Sequence, residues 1–224
     1  MTEALPFLDP IREIPGIRAA WIERFPEITI TGDRAEAMNQ LRPHHETAVK
    51  AFAPQATAWW RAEQVHSAEV AIVPTSPQIL APDGLPVVPG VDGLITCEPG
   101  TVLGIYVADC GAIWLVDRET GAIGLLHSGK KGTEGNILQN ALHIMERSFG
   151  TRPRDVAAVL SPCIRPPHYE IDFAAQIARQ AENVGIGEFS DCGLDTAADL
   201  QRFYSYRTEL GKTGRMLALI TRDA

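Results

Sequence analysis

Ala112-Ile-Trp-Leu-Val-Asp-Arg-Glu-Thr-Gly-Ala-Ile-Gly-Leu-Leu-His127 is two apolar runs on either side of Asp117-Arg-Glu-Thr-Gly121. Polar residues ending in glycine between two such runs are a hairpin signal. Closure around residues 118–121 pairs Asp117 with Ala122 and, counting outward, sets Ala112 opposite His127. Cys110 then lies two residues further along the first strand, on the same face as Ala112. That makes it a diagonal cross-strand neighbour of His127, about 7–8 Å away. The inference depends on register, because a slip of one residue turns every side chain to the other face.

Outward from the hairpin, residues 102–107 (VLGIYV), 156–160 (VAAVL) and 216–220 (MLALI) are further apolar runs of strand length, and 70–73 is a β-rich run stopped by Pro74. Residues 136–149 repeat apolar side chains at Ile137, Leu138, Ala141, Ile144, Met145 and Phe149, which is helical spacing with one buried face. Residues 33–41 (DRAEAMNQL) and 173–181 read as shorter helices, the second capped by Asp172. The proline- and glycine-rich stretch 74–90 reads as a surface loop, and residues 1–30 as coil followed by one short element. Strands outnumber helices and are joined mostly by short turns. The expected fold is α+β, mixed β-sheets flanked by helices.

The chain has 224 residues and no low-complexity linker, so one domain spanning residues 1–224 is expected. A formal charge of -8 argues against nucleic acid or an anionic membrane as the main partner. The first residues lack the basic-then-apolar order of a secretory signal and no apolar stretch reaches spanning length, so the cytoplasm is the expected location. Cys97, Cys110, Cys163 and Cys192 form no C-x-x-C pair, and a disulfide framework is not expected.

A thiol and an imidazole meeting at a strand end serve as metal ligands, as a cysteine nucleophile with its base, or as an inert buried pair. The segment after His127, Ser128-Gly-Lys-Lys-Gly-Thr-Glu-Gly135, runs toward a helix expected at about residue 136. Its glycines, Lys130 and Lys131 suit a phosphate or carboxylate at a helix start. Residues 124–131 nearly fit a P-loop, but Lys131 stands where the magnesium-binding Ser or Thr belongs.

Gln64-Val-His66, Val91-Asp-Gly-Leu-Ile-Thr96, Pro99-Gly100, Ala108-Asp-Cys110, His127-Ser-Gly129, Ser161-Pro-Cys-Ile164, Tyr169-Glu170, Phe203-Tyr-Ser-Tyr-Arg207 and Gly211-Lys-Thr-Gly-Arg-Met216 occur in that order. On these motifs the chain resembles the YfiH/YlmD family, whose members are also called laccase-domain protein, multicopper polyphenol oxidase, peptidoglycan editing factor and purine nucleoside phosphorylase. The resemblance implies the CNF/YfiH-like cysteine-hydrolase fold and a zinc site with His66, Cys110 and His127 as ligands. It implies phosphorolysis of adenosine, inosine or methylthioadenosine, adenosine deamination, or both, with a purine nucleoside and phosphate as small-molecule partners. Lys130, Lys131 and Arg207 are the expected phosphate or substrate contacts. Copper is possible in the family, but six histidines without an H-x-H pair do not furnish a multicopper centre.

The chain also departs from the family. Where members carry H-x-G-W-R-G, this one has His127-Ser-Gly-Lys-Lys-Gly132, losing an aromatic that could stack on a base and an arginine fork. The family's N-terminal segments are not recognisable, and the stretch between Phe173 and Phe203 is short. Two alternatives follow: a metal-free cysteine hydrolase using Cys110 and His127, or a non-catalytic metabolite-binding relative. Asp109 is expected to have a local structural role, Cys163 to be a buried structural thiol, and Glu170 to be either a general base or a surface residue. Arg207 is read as an anion contact or as half of an ion pair. His44 and His45 are expected at the surface, and His143 to have no catalytic task.

Overall fold

The computed structural model describes residues 6–56, 58–74, 78–81 and 83–223. Its strands are β1 (Ile17–Ile22), β2 (Ala58–Arg61), β3 (Val70–Ile72), β4 (Ile79–Leu80), β5 (Pro86–Val87), β6 (Gly93–Thr96), β7 (Thr101–Val107), β8 (Gly111–Asp117), β9 (Ile123–Ser128), β10 (Val156–Leu160), β11 (Glu188–Asp191) and β12 (Met216–Arg222). The helices are α1 (Asp9–Arg12), α2 (Arg34–Phe52), α3 (Lys130–Glu134), α4 (Ile137–Phe149) and α5 (Phe173–Val184). One sheet has the order β1-β12-β7-β2 and the other β11-β10-β8-β9-β6-β3. Both are mixed: β2 runs parallel to β7, β3 to β6 and β11 to β10, while the other pairs are antiparallel. This is the α+β architecture expected from the sequence.

Strand alternation sorts the apolar side chains into layers. Ala112, Trp114 and Val116 of β8 meet Leu103, Ile105 and Val107 of β7 and Met216, Ala218 and Ile220 of β12 in a core between the sheets. The intervening Ile113 and Leu115 face outward onto Leu138 and Met145 of α4 and Phe173 and Ile177 of α5. On the opposite flank, Val102, Tyr106, Leu217 and Leu219 pack against Met38 and Val49 of α2. The layers therefore run helix, sheet, sheet, helices. The inner strands β7, β8, β10 and β12 are covered on both faces, which is why they read as nearly unbroken apolar runs. Trp114, fully buried, also joins the sheets by donating its Nε1–H to the Leu219 carbonyl at 2.9 Å.

Three expectations need correction. The helix read over residues 33–41 begins as expected, with Asp33 and Glu36 forming a capping box, but continues past Pro43 to Phe52. Proline loses one backbone bond inside a helix. Packing of Val49 on the sheet outweighs that loss. The extension carries His45 into a fully buried position, not the surface, while His44 stays exposed. The stretch 74–90 is not only loop, because β4 and β5 form a small hairpin whose turn residue Asp83 is buried. Its carboxylate takes both Nη atoms of the equally buried Arg61 at 2.6 and 3.2 Å, an ion pair that desolvation would otherwise forbid. Residues 75–77 and 82 of that stretch, and 1–5 of the expected N-terminal coil, lie outside the described residues. Finally, the helix expected at about residue 136 is preceded by α3, which starts directly after Gly129.

Candidate metal centre

Two chain crossings between the sheets occur at the same end of the inter-sheet core. The connection from β2 to β3 leaves the four-stranded sheet for the six-stranded one and carries His66; the turn from β7 to β8 does the same and carries Cys110. Ile123 and Leu125 of β9 belong to the inter-sheet core, and His127 continues their row toward the same end. The hairpin has the register read from the sequence, Ala112 opposite His127. One ligand atom from each of His66, Cys110 and His127 lies within 4.8 Å of the other two. The two imidazole centroids are 5.0 Å apart. His66 is exposed, Cys110 partly buried and His127 buried, so the cluster opens to solvent on the His66 side.

The backbone is bent to achieve this. Gln64 and His66 both have φ of +62° and Asp109 has +79°, left-handed values that residues other than glycine seldom adopt. Polar contacts hold them there. The Gln64 amide donates to the Tyr106 carbonyl at 2.5 Å and accepts the Tyr106 N–H at 2.9 Å, so it ties the His66 loop to the end of β7 like an added strand residue. Asp92, fully buried, accepts the backbone N–H groups of Val65, His66 and Ser67 at 3.1, 3.0 and 2.7 Å, and the Ser67 hydroxyl at 2.9 Å. The same carboxylate accepts Nδ1–H of His127 at 2.7 Å. One aspartate thus fixes the loop carrying His66 and the ring of His127. Asp109 accepts the Thr196 hydroxyl at 2.8 Å and the Arg207 N–H at 2.6 Å, the local structural role expected of it. Gly129 is required for close approach: a Cβ there would lie 2.3 Å from the Cys110 sulfur.

With Nδ1–H committed to Asp92, the Nε2 face of His127 is left for the cluster. Burial raises the Cys110 thiol, but His127 and His66 outweigh burial and bring it down to about 6. Burial likewise opposes charge on His127, yet Cys110 and Asp92 push it up to about 9. Burial would raise Asp92 too, and its bond to His127 keeps it below its ordinary value. The sulfur is therefore a thiolate at neutral pH. Cys163, fully buried, is held well above the ordinary range by burial, and so is the inert thiol expected.

The donor set fits a metal. Thiolate sulfur and two imidazole nitrogens are zinc's preferred ligands, and three of them leave a fourth coordination position open. Zinc–ligand bonds of about 2.0–2.3 Å can span a triangle of this size after small side-chain rotations. Among the described residues this is the one group of three or more His, Cys, Asp and Glu side chains able to hold an ion. The remaining histidines are far from forming a second centre: His44 and His45 are on α2, His143 is exposed on α4, and His168 bonds Asp195 at 2.7 Å.

The expected anion contacts stand outside the ligand triangle. Lys130 and Lys131 are exposed on α3, with Lys130 facing Glu134 at 4.0 Å. Arg207 is ion-paired with the exposed Glu170 and lies 5.1 Å from the Tyr169 ring centroid. Sequence reading missed Asp92, Gln64 and the packing role of Gly129. An acid just ahead of the apolar run 94–96 was the signal for Asp92, since a carboxylate in that setting needs several donors.

The family described as multi-copper polyphenol oxidoreductase laccase matches residues 25–176 and 167–223. A purine nucleoside phosphorylase of Deinococcus radiodurans is 37% identical over 156 residues, 58% of this chain and 60% of that protein's length. The purine nucleoside phosphorylase YlmD of Geobacillus stearothermophilus is 29% identical over 197 residues, covering 73% of this chain and 72% of the relative. The crystal structure of that YlmD superposes with a TM-score of 0.72 at 24% identity, covering 94% of this chain and 93% of the other. Bacillus licheniformis hypothetical protein YfiH gives 0.74 at 21% identity, covering 92% and 93%. At these identities the superpositions establish a shared fold.

Proposed function

This chain belongs to the multi-copper polyphenol oxidoreductase laccase family, and we propose that it is a zinc-dependent enzyme that acts on purine nucleosides by phosphorolysis, deamination or both. The observation that carries the reading is the approach of His66, Cys110 and His127 to within 4.8 Å at an open end of the sheets. Relatives named purine nucleoside phosphorylase support the substrate class. A three-ligand set of this kind supports zinc more than copper oxidase chemistry, because no second histidine cluster accompanies it among the described residues.

Zinc held there would supply a Lewis acid with one open position for water or a phosphate oxygen. The protein's own residues do the rest. His127 and Cys110 orient the donor set, and Asp92 holds the imidazole in the tautomer that presents Nε2. Cys110 acts as thiolate ligand, not nucleophile. The exposed edge at His66 admits substrate, and Lys130 and Lys131 contribute positive charge toward phosphate, while Arg207 is paired with Glu170.

A second reading is favoured by the same proximity: a thiol lowered and an imidazole raised by each other's charge would also suit a cysteine nucleophile without metal. Incubating zinc-replete protein with adenosine, inosine and methylthioadenosine, with and without phosphate, tests the proposal. Phosphate-dependent release of base, or conversion of adenosine to inosine, is expected. Absence of turnover on every nucleoside by protein of full zinc content contradicts it. Metal-free purified protein whose Cys110 alkylates rapidly supports the cysteine hydrolase instead.

A further inference from the structure

Resting on the reading that phosphate is a co-substrate, we infer that Arg215 is the principal receptor for the anionic oxygens at the rim of the His66–Cys110–His127 cluster. Its location follows from strand register. Met216 pairs with Val107 where β12 meets β7, so Arg215 stands beside the chain as it leaves β7 for Asp109 and Cys110. The position is built rather than loose. The buried His45 donates Nε2–H to the Arg215 carbonyl at 3.1 Å. Gly214 packs so tightly on Tyr204 that a Cβ would lie 2.6 Å from that ring.

The guanidinium is only partly used. Its Nη1 donates to the carbonyls of Gly214 at 2.8 Å and Thr213 at 3.2 Å, within its own turn. Nε and Nη2 have no acceptor, and no carboxylate pairs with Arg215, among the described residues. Other arginines near this end are spent: Arg207 on Glu170, Arg165 on Asp191, Arg202 on Glu23 and Arg24 on Glu209. Arg215 instead has a second cation beside it. Burial, together with the repulsion of Arg34 on the first turn of α2, pulls it down to about 10, while Cys110 and Asp109 pull the other way. It remains charged at neutral pH.

With Nε and Nη2 unspent and no carboxylate bonded to it among the described residues, the Arg215 guanidinium has donors for an anion, whose charge would also offset the repulsion from Arg34. Arginine's planar fork suits the paired oxygens of phosphate. The exposed Tyr206 ring, 5.9 Å from the Arg215 guanidinium, backs one side of the fork.

Calorimetric titration of inorganic phosphate into zinc-replete wild type, Arg215→Gln, Arg215→Lys and Arg34→Gln tests this, with zinc content and thermal midpoint recorded for each. Arg215→Gln is expected to weaken phosphate binding by roughly ten- to a hundredfold, the range for losing hydrogen bonds to a charged group. Arg215→Lys keeps charge without the fork and should lose about fivefold or more. The exposed Arg34→Gln should lose less. If Arg215→Gln fails to fold, the lysine variant decides. Wild-type affinity for phosphate in the Arg215 variants, or no phosphate uptake by the wild type, overturns the assignment. Phosphate binding that needs Arg215 in a protein with no nucleoside turnover keeps this assignment and sinks the nucleoside reading. Phosphate-dependent turnover with an unaltered KM for phosphate in Arg215→Lys does the reverse.

Discussion

Two histidine–aspartate pairs in this molecule have the same length and different surroundings. His127 and Asp92 meet at 2.7 Å with side chains 6% and 0% exposed; His168 and Asp195 meet at 2.7 Å with 45% and 15%. Solvent screens the second pair, so its strength is that of a surface contact. The first is dry: against burial, Cys110 and Asp92 raise His127, and His127 lowers Asp92. Asp92 also collects three backbone N–H groups from the loop that presents His66. The distance between a histidine and a carboxylate therefore says little about function. Burial and a third converging ligand separate the candidate centre from an ordinary ion pair.

The strongest way to break this comparison is to remove each carboxylate in turn. Asp92→Ala strands His127 and three amide donors in the interior and should cost about 3–5 kcal/mol in chemical denaturation, with metal affinity falling roughly ten- to a hundredfold. Asp195→Ala should cost about 0–1 kcal/mol and leave metal affinity unchanged. Similar losses in both variants would mean that burial is not the distinction. Gly129→Ala comes next. The added methyl collides with the Cys110 sulfur and should destabilise by about 1–3 kcal/mol, and zinc uptake should drop, since the thiolate must move.

A smaller effect sharpens the electrostatic side. In metal-free protein, thiol alkylation followed by mass spectrometry should proceed at Cys110 and not at Cys163 at neutral pH. Because the folded Cys110 thiol is lowered to about 6 from an ordinary 9.0, its rate should persist at neutrality and fall as pH drops through about 6. His127→Ala removes the cation that holds it down, so the midpoint should move upward. An unmoved midpoint would put the cause elsewhere. Smallest of all, His168→Gln should shift the thermal midpoint by the equivalent of no more than about 0.5 kcal/mol and leave zinc content alone.

Much of this arrangement could be read from residue order. The β8–β9 register follows from Asp117 and Gly121: the Asp117 N–H donates to the Ala122 carbonyl at 2.9 Å, and Gly121 supplies the positive φ of the turn. That register is local, so a linear pattern encodes it. The convergence of His66 with the other two depends on a crossing between sheets. Only the family resemblance anticipated it. β2 (AWWR) and β11 (EFSD) are short strands paired in parallel, with no alternation to detect. The burial of His45 was hidden because Pro43 looks like a helix end; tertiary packing against β7 and β12 overrides that local signal. α3, five residues with one glycine inside it, is too short to show a period.

The central claim is that His66, Cys110 and His127 bind one metal ion together. Anomalous diffraction at the zinc edge from crystals of zinc-replete protein tests it most directly. The account predicts a single strong peak within bonding distance of the Cys110 sulfur and of one nitrogen from each imidazole, absent in Cys110→Ala. A peak bound elsewhere, or crystals of zinc-treated protein with no peak between these side chains, would contradict it.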